Sequence, residues 1–323
     1  MGTQCLCMPP PPNPTLFVVG CPRSGTTLLQ RMLDSHPMLA VANDSNFVHK
    51  ALKELVPDWK RKLRKDGDVP LTPEIVEYTR TYKRFVRLGL AREAVDRAAR
   101  ATTYAGFVSA LYDEFAVMHK KPMAGEKTPD YVRRIPLLHQ LFPQAKFVHI
   151  IRDGRDVALS SVEWAEKGIG PSKFELFAKH PFATTAMWWC WQVASGRKDG
   201  RELGPSLYHE LRYEQLVDDP ATVLRGITDF LGIPYDAGME RYHEGKSSYA
   251  PTASAKSAWL PPTKGLRDWS QDMEPKDLQV FELLAGELLD ELGYARAATQ
   301  VDPEVVAVAT ECRRWWHSSD ARD

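Results

Sequence analysis

The segment FVVGCPRSGTTLLQRMLDSHP, residues 17–37, joins a hydrophobic run to a turn rich in Gly, Ser and Thr and then to an apolar-periodic stretch. Hydrophobic residues on both faces of the run predict a strand covered on both sides, as in a parallel sheet. The helix that follows is expected to begin at Thr26 and to end before Pro37. A strand that passes through such a turn into a helix is typical of a phosphate-binding loop.

The turn itself, GCPRSGTT at 20–27, has the glycine spacing of a Walker loop, but Thr26 stands where that loop has its lysine. Gly25 can turn the backbone so that N–H groups face an anion, and Arg23 adds a forked cationic donor. The alternative is a strand–turn–helix junction that binds nothing. We predict a site for a single 5′-phosphate, with no metal required, formed by Arg23, Ser24, Gly25, Thr26 and Thr27.

Charge and cysteine content limit the possible classes of protein. The 323 residues carry 42 basic and 42 acidic side chains, so the chain lacks the basic excess expected of a general nucleic-acid binder. Its length suits one large α/β domain or two modest ones. Five cysteines in no zinc-binding pattern predict free thiols in a reducing cytoplasm.

The first 14 residues, MGTQCLCMPPPPNP, predict an extended, proline-rich leader rather than a signal peptide. Leu6 stands where a myristoylation signal has Ser or Thr. No apolar run approaches membrane-spanning length. These features predict a cytoplasmic protein without a membrane span.

Alternating strands and helices predict an α/β fold, a three-layer sandwich around a central parallel sheet. We expect a single domain over 15–300 with a helical insertion at about 50–120, a long loop at 245–272, and a C-terminal helix and tail at 301–323. Further strands are expected at 38–43, 122–125, 145–153 and the start of 206–216.

The stretch CPRSGTTLLQRMLDSHP (21–37) closely resembles the 5′-phosphosulfate loop of the sulfotransferases, above all of the tyrosylprotein, heparan and bacterial branches. That resemblance implies 3′-phosphoadenosine-5′-phosphosulfate as sulfuryl donor, adenosine 3′,5′-bisphosphate as product, and a fold similar to the P-loop NTPases. The likeness covers about 15–45 and 122–295, whereas 50–120 matches no part of the family that we can place.

The stretch IIRDGRDVALSS (150–161) resembles the second signature of the family, which binds the 3′-phosphate. Arg152 ends a strand, where ligands of open α/β sheets bind. Ser160 follows about two helical turns later, so both side chains can face one phosphate. We expect Arg155 and Asp156 to form a local surface pair. The alternative is an ordinary helix cap with surface ion pairs.

Three further residues take roles from the resemblance. Lys127, in EKTPDYV (126–132), corresponds to the lysine that contacts the transferring sulfuryl group in the heparan and bacterial enzymes; the alternative is a solvated lysine before a helix. Tyr213 matches a family tyrosine beside the adenine, or is a core aromatic at a strand end. The stretch PPTKGLRDWS (261–270) resembles the late loop that closes over the 3′-phosphate in the cytosolic branch, although it is one residue shorter here, and Lys264 is the expected contact.

The general base is assigned by alignment from His36-Pro37. Asp44, in ANDSNFV (42–48), then falls on the catalytic carboxylate of the family, which is a Glu there. Asp is one methylene shorter, so the base would have to sit closer or act through water. Asp44 could instead cap the next helix, and His49 is the nearest substitute for the histidine base of the cytosolic branch.

The resemblance and the residues together predict a sulfotransferase that acts on a hydroxyl, or an amine, of a small-molecule, glycan or lipid acceptor. Arg23, Lys127 and the two loop threonines would stabilise the charge on the sulfuryl oxygens, and Asp44 would accept the proton. Helices of 50–120 and the segment 164–182 would shape the acceptor pocket. A P-loop kinase or NTPase and a non-catalytic nucleotide-binding protein are the alternatives.

Overall fold

A computed structural model describes residues 12–165, 170–244 and 268–318. Its β-strands are β1 (Leu16–Val19), β2 (Leu39–Asn43), β3 (Met123–Lys127), β4 (Lys146–Ile151) and β5 (Tyr208–Arg212). Its α-helices are α1 (Thr26–Asp34), α2 (Phe47–Leu55), α3 (Trp59–Asp66), α4 (Pro73–Thr81), α5 (Lys83–Val86), α6 (Arg92–Ala98), α7 (Tyr104–Met118), α8 (Ile135–Leu141), α9 (Gly154–Glu163), α10 (Pro181–Leu203), α11 (Tyr213–Asp218), α12 (Pro220–Leu231), α13 (Trp269–Asp272), α14 (Pro275–Glu291) and α15 (Pro303–Ser318).

The strands form one parallel sheet in the order β2-β3-β1-β4-β5. Because all strands run the same way, their carboxyl ends meet at one edge, where open α/β sheets bind their ligands. Each strand delivers a predicted site residue or segment to that edge. These are Asp44 after β2, Lys127 at the end of β3, the phosphate loop after β1, Arg152 after β4 and Tyr213 after β5.

Helices cover both faces of the sheet, because successive side chains of a strand point to opposite sides. On β1, Phe17 and Val19 pack into a cluster with α2, α4, α7 and α8. Leu16 and Val18 pack on the other face with α1 and α12. The predicted three-layer α/β sandwich is therefore confirmed, and the apolar run of β1 is explained by burial on both sides.

The helices α2–α7 lie between β2 and β3, where the sequence predicted a helical insertion. They bury their apolar faces against the sheet through residues such as Phe47, Phe107 and Tyr112. The C-terminal helix α15 packs through Ala309 and Cys312 against α10 and α14. The proposed domain limits at 15–300 and 301–323 stay predictions.

Three cysteines in the described part of the chain, Cys21, Cys190 and Cys312, are free thiols. Across the described ranges, no helix is both long enough and apolar enough to cross a bilayer. Most of the proline-rich leader and most of the loop at 245–272 lie outside the described residues.

Candidate active site

The phosphate loop turns through a left-handed glycine at position 25. Gly25 has φ +83° and forms the N-cap of α1, and Arg23 is also left-handed with φ +77°. A Cβ at Gly25 would lie 2.3 Å from Cδ2 of Tyr213, so the tyrosine ring closes directly over this glycine. The loop is therefore both turned by a left-handed residue and pressed against the residue that follows β5.

The start of α1 carries no side-chain cap. The first N–H groups of a helix have no partner within it, so an uncapped start leaves donors available to an anion. Ser24 adds to them, since its Oγ is buried and has no hydrogen-bond partner among the described residues. Thr26 is buried and Thr27 is half-buried at the same end of the helix. This arrangement can hold a phosphate or sulfate group.

Lys127 points into the loop from the end of β3. It is a neighbour of Val18 in the sheet and lies on the same face as α1, where its Nζ is 3.4 Å from Oγ1 of Thr27. Only 3% of the residue is exposed. Burial lowers the pKa of the Lys127 ammonium, and the nearby carboxylates of Asp44 and Glu126 offset part of that lowering. The predicted partner of the loop is thus a buried amine, not a solvated surface lysine.

Asp44 follows β2 next to Lys127. Its N–H donates to the Lys127 carbonyl over 2.6 Å, and it adopts φ +53°, a left-handed conformation uncommon for a residue with a side chain. Its Oδ1 is 3.2 Å from Nη1 of Arg84, which belongs to α5. Asn46, not Asp44, occupies the N-cap position of α2. Asp44 therefore lies beside the lysine with its side chain turned towards the inserted helices.

Glu126, the residue before Lys127, makes contacts that the sequence did not predict. It is fully buried, and its Oε1 accepts from Ser45 Oγ over 2.7 Å and from the Asn46 N–H over 2.9 Å. The hydroxyls of Thr128 and Tyr112 also donate to this carboxylate. The only signal in the sequence was its place in the strand, since alternation puts it on the face opposite to Lys127.

The second signature holds its arginines differently from the prediction. Arg155 was expected to pair with Asp156 at the surface, and this is wrong. Arg155 is 1% exposed and binds Asp153 over 2.7 Å and Glu282 over 2.6 Å. Asp156 pairs with Arg152 over 2.9 Å instead, because residues four apart share a helix-like face.

Asp156 connects this signature to the end of the late loop. Its Oδ2 binds Nη2 of Arg152, and its Oδ1 accepts the N–H of Trp269 over 3.1 Å. Burial raises the pKa of Asp156, and the Arg152 guanidinium offsets part of that rise. The Trp269 ring stacks on Arg155, with 3.5 Å between the guanidinium carbon and the ring centroid.

Arg152 and the phosphate loop lie against the same aromatic ring. The guanidinium carbon of Arg152 lies 4.5 Å from the ring centroid of Tyr213, the same ring that covers Gly25. The Nε of Arg152 is buried and has no hydrogen-bond partner in the described chain. Ser160 lies against the phosphate loop, where its Oγ accepts a hydrogen bond from Nε of Arg23 over 2.8 Å. Arg23 itself stacks 4.2 Å from the Trp164 ring centroid.

The remaining candidates lie apart from these groups or outside the described residues. His49 is on α2, and burial together with the positive charge of Arg134 lowers its pKa to about 3. Phe174, in the segment 164–182 that was expected to shape the acceptor pocket, packs edge-on against Trp316, with 5.4 Å between the ring centroids. Lys264 falls outside the described residues. Within the described ranges, no three His, Cys, Asp or Glu side chains are grouped to hold a metal ion.

Comparison with known proteins identifies the family of the chain. Residues 14–237 match the model of the family described as the Sulfotransferase family. The chain belongs to this family. The matched part includes the phosphate loop, Asp44, Lys127, Arg152 and Tyr213, whereas Lys264 lies beyond it.

Relatives within the sulfotransferase family are distant. The chain is 27% identical over 226 residues to protein-tyrosine sulfotransferase A of Caenorhabditis elegans, which covers 69% of this chain but 51% of that protein. It is 25% identical over 312 residues to human protein-tyrosine sulfotransferase 1, covering 91% of this chain and 74% of that protein. The chain thus spans about half the length of the first of these relatives.

A solved structure supports the fold. The sulfotransferase domain from the curacin biosynthetic pathway superposes with a TM-score of 0.53 at 19% identity, covering 94% of this chain and 98% of that domain. At this identity the likeness supports the sulfotransferase fold and says nothing further about substrates.

Proposed function

We propose that the chain transfers the sulfuryl group of 3′-phosphoadenosine-5′-phosphosulfate to an acceptor hydroxyl. The observation that carries the proposal is the meeting of three groups at one edge of the sheet: the uncapped start of α1, the buried Lys127 beside Thr27, and Asp44 beside Lys127. The start of α1 can bind an anion, and Lys127 can stabilise negative charge on a transferring group. Asp44 can accept a proton.

Two buried polar atoms support a donor with two separate phosphate groups. Ser24 Oγ and Arg152 Nε are both without a hydrogen-bond partner in the described chain. Leaving such a group unpaired costs about 1–3 kcal/mol, so a ligand that supplies acceptors to both would be stabilised. A nucleotide with a 5′-phosphosulfate near Ser24 and a 3′-phosphate near Arg152 is such a ligand. Tyr213, which contacts Gly25 and Arg152, would then adjoin the nucleotide between them.

The residues of the loop would stabilise negative charge during transfer. The donor would supply an activated sulfuryl group. Lys127 would direct its ammonium towards the oxygens of that group, and Thr27 would donate its hydroxyl from the adjoining helix end. Arg23, held by Ser160 and Trp164, would add a fixed charge at the other side of the loop. These groups act by orientation and charge, since they are already fixed by packing.

Asp44 would accept the proton from the acceptor hydroxyl. Its side chain is 42% exposed, so an acceptor can reach it, and its Oδ1 lies 3.2 Å from Nη1 of Arg84. A neutral imidazole whose conjugate acid has a pKa of about 3 is a weak base at neutral pH, which argues against His49. The missing methylene of Asp relative to Glu would be offset by the turn that brings residue 44 against the backbone of Lys127.

We infer a small-molecule, glycan or lipid hydroxyl as acceptor, with an amine as a second possibility. The relatives named for protein tyrosine make a phenol a further hydroxyl to test. The cytoplasmic location stays a prediction, as does the absence of a required metal.

Two measurements test the proposal. Isothermal titration should show adenosine 3′,5′-bisphosphate binding more tightly than ATP, whereas tighter binding of ATP with magnesium would favour a kinase. An acceptor library incubated with sulfur-labelled donor should give products heavier by one sulfuryl group, read by mass spectrometry. A protein that binds the bisphosphate, yet neither sulfates an acceptor nor hydrolyses the donor, would refute catalysis and favour a non-catalytic nucleotide-binding protein.

A further inference from the structure

Glu126 organises the segment that carries Asp44. Its carboxylate receives hydrogen bonds from three parts of the chain: Ser45 and Asn46 after β2, Thr128 after β3, and Tyr112 on α7. No part of Glu126 is exposed. A buried carboxylate is retained only where donors replace its water, and here two of the replacing donors are Ser45 and Asn46, the residues that follow Asp44.

The segment held by Glu126 is unusual in its backbone. Asp44 has φ +53° and Asn46 has φ +51°, so two residues with side chains adopt left-handed conformations within three positions. Such conformations persist where surrounding contacts impose them. The Asn46 N–H and the Ser45 hydroxyl both donate to Glu126, and the Asp44 N–H donates to the Lys127 carbonyl. Consecutive residues are thus tied to the end of β3.

Glu126 cannot itself take the acceptor proton. It is a neighbour of Phe17 in the sheet, on the face that packs against α7, whereas Lys127 is a neighbour of Val18 on the face of α1. Its Oε1 receives donors from the Asp44 segment, and its Oε2 receives the Tyr112 hydroxyl. Burial and the Glu126 charge raise the pKa of Tyr112, so this hydroxyl keeps its proton and remains a donor.

We propose that Glu126 is a positioning residue for the general base: it holds the 44–46 turn so that the Asp44 carboxylate lies between Lys127 and Arg84. The inference rests on the proposed role of Asp44. Replacing Glu126 should leave nucleotide binding nearly unchanged, because the phosphate loop, Arg152 and Tyr213 are fixed by other contacts.

The test is a double-mutant cycle between Glu126→Gln and Asp44→Asn. Gln keeps the shape of Glu126 but offers the turn a neutral acceptor, and we expect kcat to fall roughly 10- to 100-fold, as a misplaced catalytic group does. Asp44→Asn should lower kcat by about 10²–10⁴-fold, the range of general base catalysis. The double variant should be within about twofold of Asp44→Asn, because a residue that acts through the base has no effect once the base is gone.

The readouts separate positioning from a general loss of structure. Turnover is measured with an acceptor from the library or, failing one, as donor hydrolysis with water as acceptor. Binding of adenosine 3′,5′-bisphosphate should change less than twofold in Glu126→Gln. Glu210→Gln is the matched control, since Glu210 also accepts from a tyrosine hydroxyl, that of Tyr208. It should lower the melting temperature while kcat stays within twofold.

Each outcome decides the inference. A normal kcat in Glu126→Gln, or losses that multiply in the double variant, would overturn it while leaving the proposed function intact. A normal kcat in Asp44→Asn would remove the base assignment, and the role of Glu126 with it. If Glu126→Gln does not fold, Ser45→Ala removes one donor of the turn and should lower kcat severalfold without adding to Asp44→Asn.

Discussion

Replacing Arg152 by Ala should weaken binding of adenosine 3′,5′-bisphosphate far more than binding of adenosine 5′-phosphate. The side chain is nearly buried, stacks on Tyr213 and leaves its Nε without a partner in the described chain. A hydrogen bond to a charged group contributes about 1.5–3 kcal/mol. Its loss should weaken binding of the bisphosphate about 10- to 150-fold.

Isothermal titration of both nucleotides to the wild type and to the variant measures the difference. Adenosine 5′-phosphate lacks the 3′ group, so its dissociation constant should change less than threefold. Arg152→Lys is the control, because it keeps the charge but loses the forked donors and the stacking on Tyr213. Its dissociation constant for the bisphosphate should lie between those of the wild type and Arg152→Ala. Equal losses for both nucleotides would refute the assignment of Arg152 to the 3′-phosphate.

The same variant should be less stable, in a way that depends on pH. Removing Arg152 leaves the Asp156 carboxylate without its cation, and breaking a buried pair costs up to about 3–5 kcal/mol. Burial already raises the folded-state pKa of Asp156, and without Arg152 it rises further. A group with a raised folded-state pKa contributes stability at low pH and loses it as the pH rises through that pKa. The difference in melting temperature between the wild type and Arg152→Ala should therefore be smaller at pH 5 than at pH 7.

Three more predictions concern the loop and the base. Gly25→Ala should abolish nucleotide binding, because its Cβ would lie 2.3 Å from the Tyr213 ring at φ +83°, whereas Gly226→Ala, with open space around it, should be neutral or stabilising in thermal melts. The lowered pKa of Lys127 should give kcat/KM an alkaline limb with a midpoint below 10.5, which Lys127→Arg should move to higher pH; an unmoved limb would assign it to another group. His49→Asn should keep kcat within threefold, and a fall to the level expected of Asp44→Asn would make His49 the base.

The sheet and its loops could be predicted from sequence because their signals are local. The apolar run of β1, the glycine of the loop and the alternation of strands with helices each lie within a few residues. Once the strands are known to be parallel, the ends that carry Asp44, Lys127 and Arg152 must meet at one edge. The resemblance to the sulfotransferases added the roles of these residues, which local patterns alone do not give.

The contacts that could not be predicted join distant parts of the chain. Arg155 looked like a surface partner for Asp156, and its actual partner Glu282 lies 127 residues away. Arg84 reaches Asp44 from α5, 40 residues further along the chain. Glu126 is next to Lys127 in the sequence, but it accepts a hydrogen bond from Asn46, which lies 80 residues earlier in the chain.

The inserted helices α2–α7 join the sheet at different strands from the segments that adjoin the nucleotide in our proposal. They leave the sheet after one edge strand, β2, and return through its neighbour, β3, while the segments that adjoin the nucleotide in our proposal follow β1, β4 and β5. Exchanging part of this connection would leave the strand order unchanged, provided that Arg84 and Tyr112, which contact Asp44 and Glu126, are kept. The sequence predicts that these helices shape the acceptor pocket, so we expect a graft of this connection to change acceptor preference while nucleotide binding is kept.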